Sequence, residues 1–562
     1  MNLITLRKAL AVASLTAMTA CGGGGSSGGA VPAGNGGNPG GQPLLSRIVG
    51  VGDSLTAGYQ AGGMLGATGV PDPLFPGLTV PPTQEQGWWA DVDEQASGLP
   101  LSQAIANEFD PNISPLPLIA GPGINNELVP ALGLPFEPEK QGNACADDGG
   151  FNAAGYLLTG SKRVRMNPFS TTIRNVAVPG ITLHEANMIS QPQSNTCKAL
   201  PGIRGLLQQV VDGESSTYWP VLRNWSFMNS KLTMVNAGAQ LKPTLALVWL
   251  GANDVLKFMG SGGLFLGGDS TPGQAAADLR QAIGTLKHAG AHVVAANLPN
   301  ILETPYFMRV TIPSRSICAR NIQTYVACVF QTVLQISPAV AAGLTAKIAL
   351  QYHLATPSGC EPTSLDEPCG YLTLQGTFAI IQYYHDHGKL PDLDNGKPGS
   401  GLGMFYITPA FAAKVQALNT AVNDGIATAA QNTSTPLVDV ASIFSGIASG
   451  DPSNPYFRMA IGISRPNQCC TLGFEGGLVS FDGLHPSNTG YALLAYAFIA
   501  TINGAYGARI PQIDVKAAYA GKRCNNTSYC YPDPYAPPCA QNPALCGPSS
   551  SGIIDRRRPT QN

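Results

Sequence analysis

Residues 47–58, which read RIVGVGDSLTAG, decide the fold class of this chain. Residues 47–51 form a short apolar run that is rich in β-branched residues and gives way to glycine and aspartate, a pattern typical of a buried strand. Ser54 then lies at the carboxyl end of the first predicted strand, where open α/β sheets bind their ligands. This stretch alone leaves two interpretations open: a nucleophilic serine, or a serine that caps the next helix.

Later segments repeat the pattern of short apolar runs separated by helical stretches. The apolar runs are residues 245–250, 292–298 and 436–440, and residues 274–289 and 410–430 have helical periodicity. Continuous apolar strands that alternate with helices indicate a parallel sheet covered on both faces. The sequence therefore predicts an α/β fold.

An acid and a base stand three positions apart near the end of the chain. Asp482 and His485 lie in the segment DGLHP, and on a helical turn this spacing brings a carboxylate beside an imidazole. Histidine is the usual base that activates serine, and aspartate fixes its tautomer and stabilises its cation. A lone DxxH pattern is common and lies more often on a surface than in a site, so other segments must decide.

Two further segments end in groups that can donate hydrogen bonds. Asn253 follows the apolar run 245–250, so its amide can reach the same edge of the sheet as Ser54. Gly180 follows the segment NVAVP, and a glycine lets a backbone N–H approach a ligand closely. These two donors and the Ser54 amide would form an oxyanion hole for a tetrahedral intermediate. Taken singly, each is more often a turn residue.

Together, the four segments resemble the blocks of the GDSL, or SGNH, hydrolase family. The blocks match GDSL at Ser54, a glycine at Gly180, GxND at Asn253 and DxxH at His485. The resemblance covers about residues 46–506. It implies a flavodoxin-like three-layer α/β/α sandwich with a parallel sheet.

The resemblance also implies a role for each residue of the site. Ser54 would be the nucleophile, His485 the base and Asp482 the residue that orients it. Ser54, Gly180 and Asn253 would supply the oxyanion hole. The implied reaction is the hydrolysis of carboxylic esters through an acyl-serine, with no metal and no organic cofactor.

The spacing of the blocks is longer than in a compact family member. There are 126 residues from Ser54 to Gly180 and 232 from Asn253 to His485. We expect the inserted loops to shape the substrate site, so the substrate itself is not implied by the resemblance. The apolar insertions at 71–82 and 115–135 are interpreted either as a lid or as a cover for the sheet edge.

Three other patterns are expected to have no catalytic role. Residues 25–29 match GxSxG but lie in a Gly/Ser-rich tether, where no strand–turn–helix elbow can form. Residues 385–387, His-Asp-His, have the spacing of metal ligands on a strand, but without a third ligand nearby a solvated loop is favoured. Trp88 and Trp89 could line an acyl pocket, although core packing is favoured because a helical stretch follows them.

The N-terminal residues are predicted to direct export. Residues 1–20 carry Arg7 and Lys8 before an apolar stretch, as in a secretory signal. The segment MTAC ends at Cys21 and resembles a lipobox, which implies cleavage before Cys21 and lipidation of its thiol; an ordinary signal peptide with a chance cysteine is the alternative. Residues 21–45 form a flexible tether. The expected location is the cell envelope, anchored by lipid at the outer membrane.

Composition excludes some function classes and agrees with export. Only 12% of the 562 residues are charged and the formal net charge is −2, so no nucleic-acid partner is expected. Without Cys21, the 13 cysteines leave an even number, consistent with disulfide bonds in an oxidising compartment. Cys360 and Cys369 are the best local pair, and the scattered histidines argue against a zinc site.

The sequence therefore predicts a hydrolase domain over residues 46–510 and a Cys/Pro-rich tail over 511–562. The expected function is that of an exported, lipid-anchored serine esterase or lipase acting on small-molecule or lipid esters. One alternative is a carbohydrate or cell-wall O-acetyl esterase that uses the same residues. Another is an inactive scaffold that acts as a surface binding protein. The oligomeric state is not readable from the sequence.

Overall fold

The computed structural model describes part of the chain. The described residues are 43–60, 70–71, 79–80, 84–98, 115–117, 119–120, 164–165, 173–188, 221–222, 232–260, 263, 272–304, 306–308, 336–351, 355–356, 359–360, 370–391, 406–449, 453, 455–456, 478–479 and 483–515.

The strands are short outside the central sheet. They are β1 (Ile48–Gly52), β2 (Val70–Pro71), β3 (Thr79–Val80), β4 (Ile119–Ala120), β5 (Val164–Arg165), β6 (Leu245–Trp249), β7 (His292–Ala296), β8 (Phe307–Met308), β9 (Ala355–Thr356), β10 (Gly359–Cys360), β11 (Tyr371–Thr373), β12 (Tyr406–Ile407) and β13 (Leu437–Val438).

The helices range from a single turn to 24 residues. They are α1 (Ser54–Ala57), α2 (Trp88–Ser97), α3 (Leu183–Met188), α4 (Met234–Gln240), α5 (Ala252–Gly260), α6 (Pro272–His288), α7 (Pro338–Gln351), α8 (Leu374–His387), α9 (Pro409–Asn432), α10 (Val440–Ser449) and α11 (Asn488–Tyr506). Short 3-10 turns lie at Gln84–Gln86 and Ile301–Glu303. No helix in the described ranges combines the length and the apolar character needed to span a membrane.

The central sheet is parallel and its strands lie in the order β1, β6, β7, β13. Residues 174–178 extend it beyond β1, because Val176 donates its N–H to Gly50 and Val178 donates to Gly52, each at 2.9 Å. If these five segments are renumbered by their order in the chain, residues 174–178 are the second. Across the sheet the order is then 2-1-3-4-5, which is the order of flavodoxin-like doubly wound sheets. The predicted fold class is confirmed.

Helices cover both faces of this sheet. Gly50 and Val51 are neighbours in β1, so they face opposite sides. A Cβ on Gly50 would lie 2.7 Å from Cδ1 of Trp89 in α2, and one on Gly238 in α4 would lie 2.9 Å from Cγ2 of Val51. Helix α2 therefore covers one face and α4 the other, and only glycine fits at position 50.

Within each layer, the helices also pack against one another. On one side, α2 packs against α11, where Trp88 stacks on Phe498 with ring centroids 3.9 Å apart. On the other side, α6 contacts α3, α4 and α9. Trp88 and Trp89 are fully buried, so the expectation of core packing is confirmed.

A small antiparallel sheet is inserted between β7 and β13. Its strands lie in the order β12, β11, β8. The residue before β8, Tyr306, donates its N–H to the carbonyl of Gly483 at 2.9 Å. The insertion is thus hydrogen-bonded to the loop that precedes His485.

Two predicted helices agree with these elements, and one predicted loop does not. The predicted helices 274–289 and 410–430 correspond to α6 and α9 within one or two residues at each end. The expectation of a loop at 385–387 is wrong, because these residues form the exposed last turn of α8.

Other predictions fall outside the described residues. They concern the signal and lipidation site at Cys21, the tether up to residue 42, most of the proposed lid and the tail beyond 515. Among the cysteines, only Cys360 lies in the described part, in β10. The disulfide pairing and the domain boundaries stay predictions.

Candidate active site

Ser54 is the first residue of α1, directly after the turn that ends β1. Asp53 caps this helix, since its Oδ1 accepts a hydrogen bond from the Leu55 N–H at 3.0 Å. The alternative of a capping serine is therefore wrong, because the capping position belongs to the preceding residue. The first N–H groups of a helix have no intrahelical acceptor, so the Ser54 amide is suited to bind a developing negative charge.

His485 lies beside Ser54, although 431 positions separate them in the chain. Its Nε2 is 2.9 Å from Oγ of Ser54, so the hydroxyl can donate a hydrogen bond to a neutral imidazole. His485 precedes α11 in a bend over residues 483–485, and the expected helical turn is therefore wrong for the described part of this segment. Asp482 lies outside the described residues.

Two hydrogen bonds hold the residues that follow α1 against the start of α11. Nε2 of Gln60 donates to Oδ1 of Asn488 at 2.9 Å, and the hydroxyl of Tyr491 donates to the carbonyl of Tyr59 at 2.7 Å. Gln60, Asn488 and Tyr491 are buried. Because α11 begins three residues after His485, these contacts fix the approach of the imidazole to Ser54.

The ring of Tyr59 packs against the imidazole of His485. The ring centroids are 4.6 Å apart and the planes are inclined by 45°. An aromatic face at this distance can stabilise a cation, which the imidazole becomes when it accepts a proton. Sequence reasoning missed Tyr59, because nothing in the motif GDSLTAGY shows that its ring contacts the imidazole of a distant histidine.

Gly180 and Asn253 meet at the same edge of the sheet as Ser54. Gly180 follows residues 174–178 beside β1, is exposed, and has a φ of 81°, a backbone conformation that favours glycine. Asn253 is in the first turn of α5, after β6, and its Nδ2 donates to the carbonyl of Ile181 at 3.1 Å. An asparagine amide has two N–H donors, so one can position the side chain while the other meets a ligand.

Further polar contacts tie α3, which follows Gly180, to α5, which carries Asn253. Oδ2 of Asp254 accepts from the Leu183 N–H at 3.0 Å, and Lys257 pairs with Glu185 at 2.5 Å. Glu185 also accepts from the N–H of Thr182, whose hydroxyl accepts from the Glu185 N–H. This capping box, TLHE, was visible in the sequence as a T-x-x-E pattern and was missed.

The electrostatics of the site are set by the burial of Asp53. Burial raises the pKa of Asp53 to about 7, while the N–H of Leu55 and attraction to His485 oppose that shift. In the described part of the chain, Oδ2 of Asp53 has no hydrogen-bond partner. A second ionisable group therefore stands next to the Ser54–His485 pair.

Comparison with models of known protein families gives a match over the first part of the chain. Residues 48–335 match the family model of the GDSL-like lipase/acylhydrolases, and this segment is half of the chain. The chain belongs to the GDSL-like lipase/acylhydrolase family. The matched segment contains Ser54, Gly180 and Asn253, while His485 lies beyond it and is placed beside Ser54 by the fold.

Membership of this family shows that the chain belongs to a class of enzymes that hydrolyse ester bonds. The substrates of this class are small-molecule esters. Searches of curated proteins and of solved structures found no match. Among the described residues, no group of three or more His, Cys, Asp or Glu is arranged to hold a metal ion.

Proposed function

We propose that this protein is an exported, lipid-anchored serine esterase or lipase in which Ser54 and His485 carry the reaction. The observation that carries the proposal is the 2.9 Å contact between Oγ of Ser54 and Nε2 of His485 at the carboxyl edge of the sheet. A base within hydrogen-bond reach is what activates a serine hydroxyl.

The proposed reaction has two steps. Oγ of Ser54 attacks the ester carbonyl while its proton passes to Nε2 of His485, and the Ser54 N–H, the Gly180 N–H and the Asn253 amide stabilise the oxyanion. The imidazolium then protonates the leaving alcohol, and an acyl-serine remains. Water activated by the same imidazole hydrolyses this intermediate and regenerates Ser54. Asp482 is proposed to orient His485.

The side chains next to the reacting pair favour acyl substrates over charged polymers. Leu55 and Leu484 flank Ser54 and His485 in the chain, and both are half-buried against the hydrophobic core. Together with the low charge content of the chain, this apolar setting supports esters of fatty or other apolar acids as substrates.

The substrate class is tested with p-nitrophenyl esters from acetate to palmitate and, in parallel, acetylated saccharides. We expect kcat/KM to peak above acetate and Ser54→Ala to remove turnover of every ester. Turnover confined to acetate esters and acetylated sugars would contradict a lipase and support an O-acetyl esterase.

We further propose that lipidation of Cys21 anchors the protein to the outer membrane. Acyl chains supply the binding energy of such anchors, so Cys21→Ala should release an active enzyme into the soluble periplasmic fraction. Retention of the variant in carbonate-washed membranes at the wild-type level would contradict the anchor.

A further inference from the structure

Asp53 does more than its capping role requires. Its side chain is buried with 1% exposure, and its Oδ1 already satisfies the Leu55 N–H. Its Oδ2 has no hydrogen-bond partner among the described residues. A buried polar atom without a partner costs stability, whereas serine or asparagine would cap the helix without a carboxylate. A second role for the negative charge would explain why this position has an aspartate and not a neutral capping residue.

The charge has one neighbour that becomes a cation during the proposed reaction. Asp53 directly precedes Ser54, whose Oγ lies 2.9 Å from His485, and attraction between Asp53 and His485 acts on the pKa of the carboxyl. The uncharged ring of Tyr59 also packs against the imidazole. Asp482, which precedes His485 by three positions, is outside the described residues.

Three other charged groups on nearby elements interact with groups other than Asp53. In α2, Asp93 forms a two-pronged ion pair with Arg174 at 2.5 and 2.7 Å. In the turn before α2, Glu85 is buried and is repelled by Glu94. In α5, Asp254 accepts from the Leu183 N–H. None of these groups acts on the pKa of Asp53, and His485 does.

We propose that Asp53 is a positioning residue whose carboxylate stabilises the imidazolium form of His485 while its other oxygen holds the helix that presents Ser54. This inference deepens the proposed function and rests on it. In the proposed step, the Ser54 proton moves to Nε2 of His485 as the new C–O bond forms, and it later leaves with the alcohol. Asp53 takes up no proton and contributes only its charge.

The inference predicts how activity depends on pH. Because burial raises the pKa of Asp53 to about 7, this carboxyl changes charge in the range where histidine also titrates. An ionised Asp53 favours the protonated imidazole and so raises the pKa of His485. The acidic limb of the pH profile of kcat/KM then lies at higher pH. Removing the charge should move the limb to lower pH.

The test compares Asp53→Asn and Asp53→Ser with wild type, because both replacements retain a capping oxygen. The control is Glu85→Gln, which removes another fully buried carboxyl that has no interaction with His485. We expect both Asp53 variants to shift the acidic limb of kcat/KM down by about one pH unit. We also expect kcat at about pH 8 to fall by about tenfold. Glu85→Gln should leave the limb in place.

An NMR titration of the His485 ring in the wild-type protein gives a readout that needs no variant at Asp53. A His485→Ala spectrum assigns the resonance, and a second inflection caused by the ionisation of Asp53 is expected. A single inflection in wild type, or an unchanged acidic limb in folded Asp53 variants, would overturn the inference. Absence of esterase activity in wild type would refute the proposed function instead, and the NMR titration would still test the charge interaction.

Discussion

At the scale of single residues, the candidate site combines positions that motifs predict with positions that only packing determines. Ser54, Gly180 and Asn253 could be found because each follows a strand at the carboxyl edge of one sheet. Asp53 and Tyr59 could not, because their roles depend on His485, which lies 431 positions beyond Ser54. A sequence motif shows the order of such residues but not their contacts.

At this scale, Asn253→Ala tests the proposed oxyanion hole. Loss of one oxyanion donor lowers kcat by about 10²–10³ and changes KM little, since the interaction forms mainly in the transition state. The matched control is Asn187→Ala, because Asn187 is also buried and its amide binds the carbonyls of Leu183 and Asp278. The control should lower Tm but retain most of kcat. Equal kcat values for the two variants would show that Asn253 has only a structural role.

At the scale of elements, periodicity predicted most of the sheet. Strands β1, β6 and β7 were predicted within two residues at each end, because each is a continuous buried apolar run. The strand-like segment 174–178 was not predicted, since Arg174 and Asn175 interrupt its apolar pattern. Its place beside β1 depends on backbone hydrogen bonds to Gly50 and Gly52, which leave no local signal.

Also at this scale, the ties between α3 and α5 should affect catalysis. Glu185→Gln keeps an oxygen for the capping box, whereas Glu185→Ala removes the acceptor of the Thr182 N–H and the pair with Lys257. Loss of this hydrogen bond costs about 1 kcal/mol, equivalent to roughly a fivefold fall in kcat if it displaces the oxyanion donors in the transition state. We expect Glu185→Gln to stay within about twofold of wild type and Glu185→Ala to show the larger loss. A lower Tm with unchanged kcat in Glu185→Ala would contradict this role.

At the scale of the whole molecule, a chain with few charges buries some of them completely. Glu85 is 3% exposed, and burial followed by repulsion from Glu94 raises its pKa to about 8. Between about pH 4.5 and pH 8 the unfolded chain loses this proton while the folded protein keeps it, so the free energy of unfolding falls as pH rises. The burial of this carboxyl was not predictable, because its surroundings come from distant segments.

Glu85→Gln should remove this pH dependence. We expect the Tm of the variant to be close to that of wild type at about pH 5 and higher by at least about 2 °C at about pH 8.5. Calorimetry at both pH values measures the two differences. A constant difference in Tm would mean that Glu85 does not change its ionisation on folding in this range.

The activation of Ser54 as a nucleophile by His485 is tested by labelling with a fluorophosphonate and mapping the labelled peptide by mass spectrometry. We expect a single adduct on Ser54, none in Ser54→Ala, and strongly slowed labelling in His485→Ala. An adduct on another serine, or equal labelling of Ser54→Ala and wild type, would contradict this role of Ser54. Absence of labelling in folded wild type would indicate an inactive scaffold.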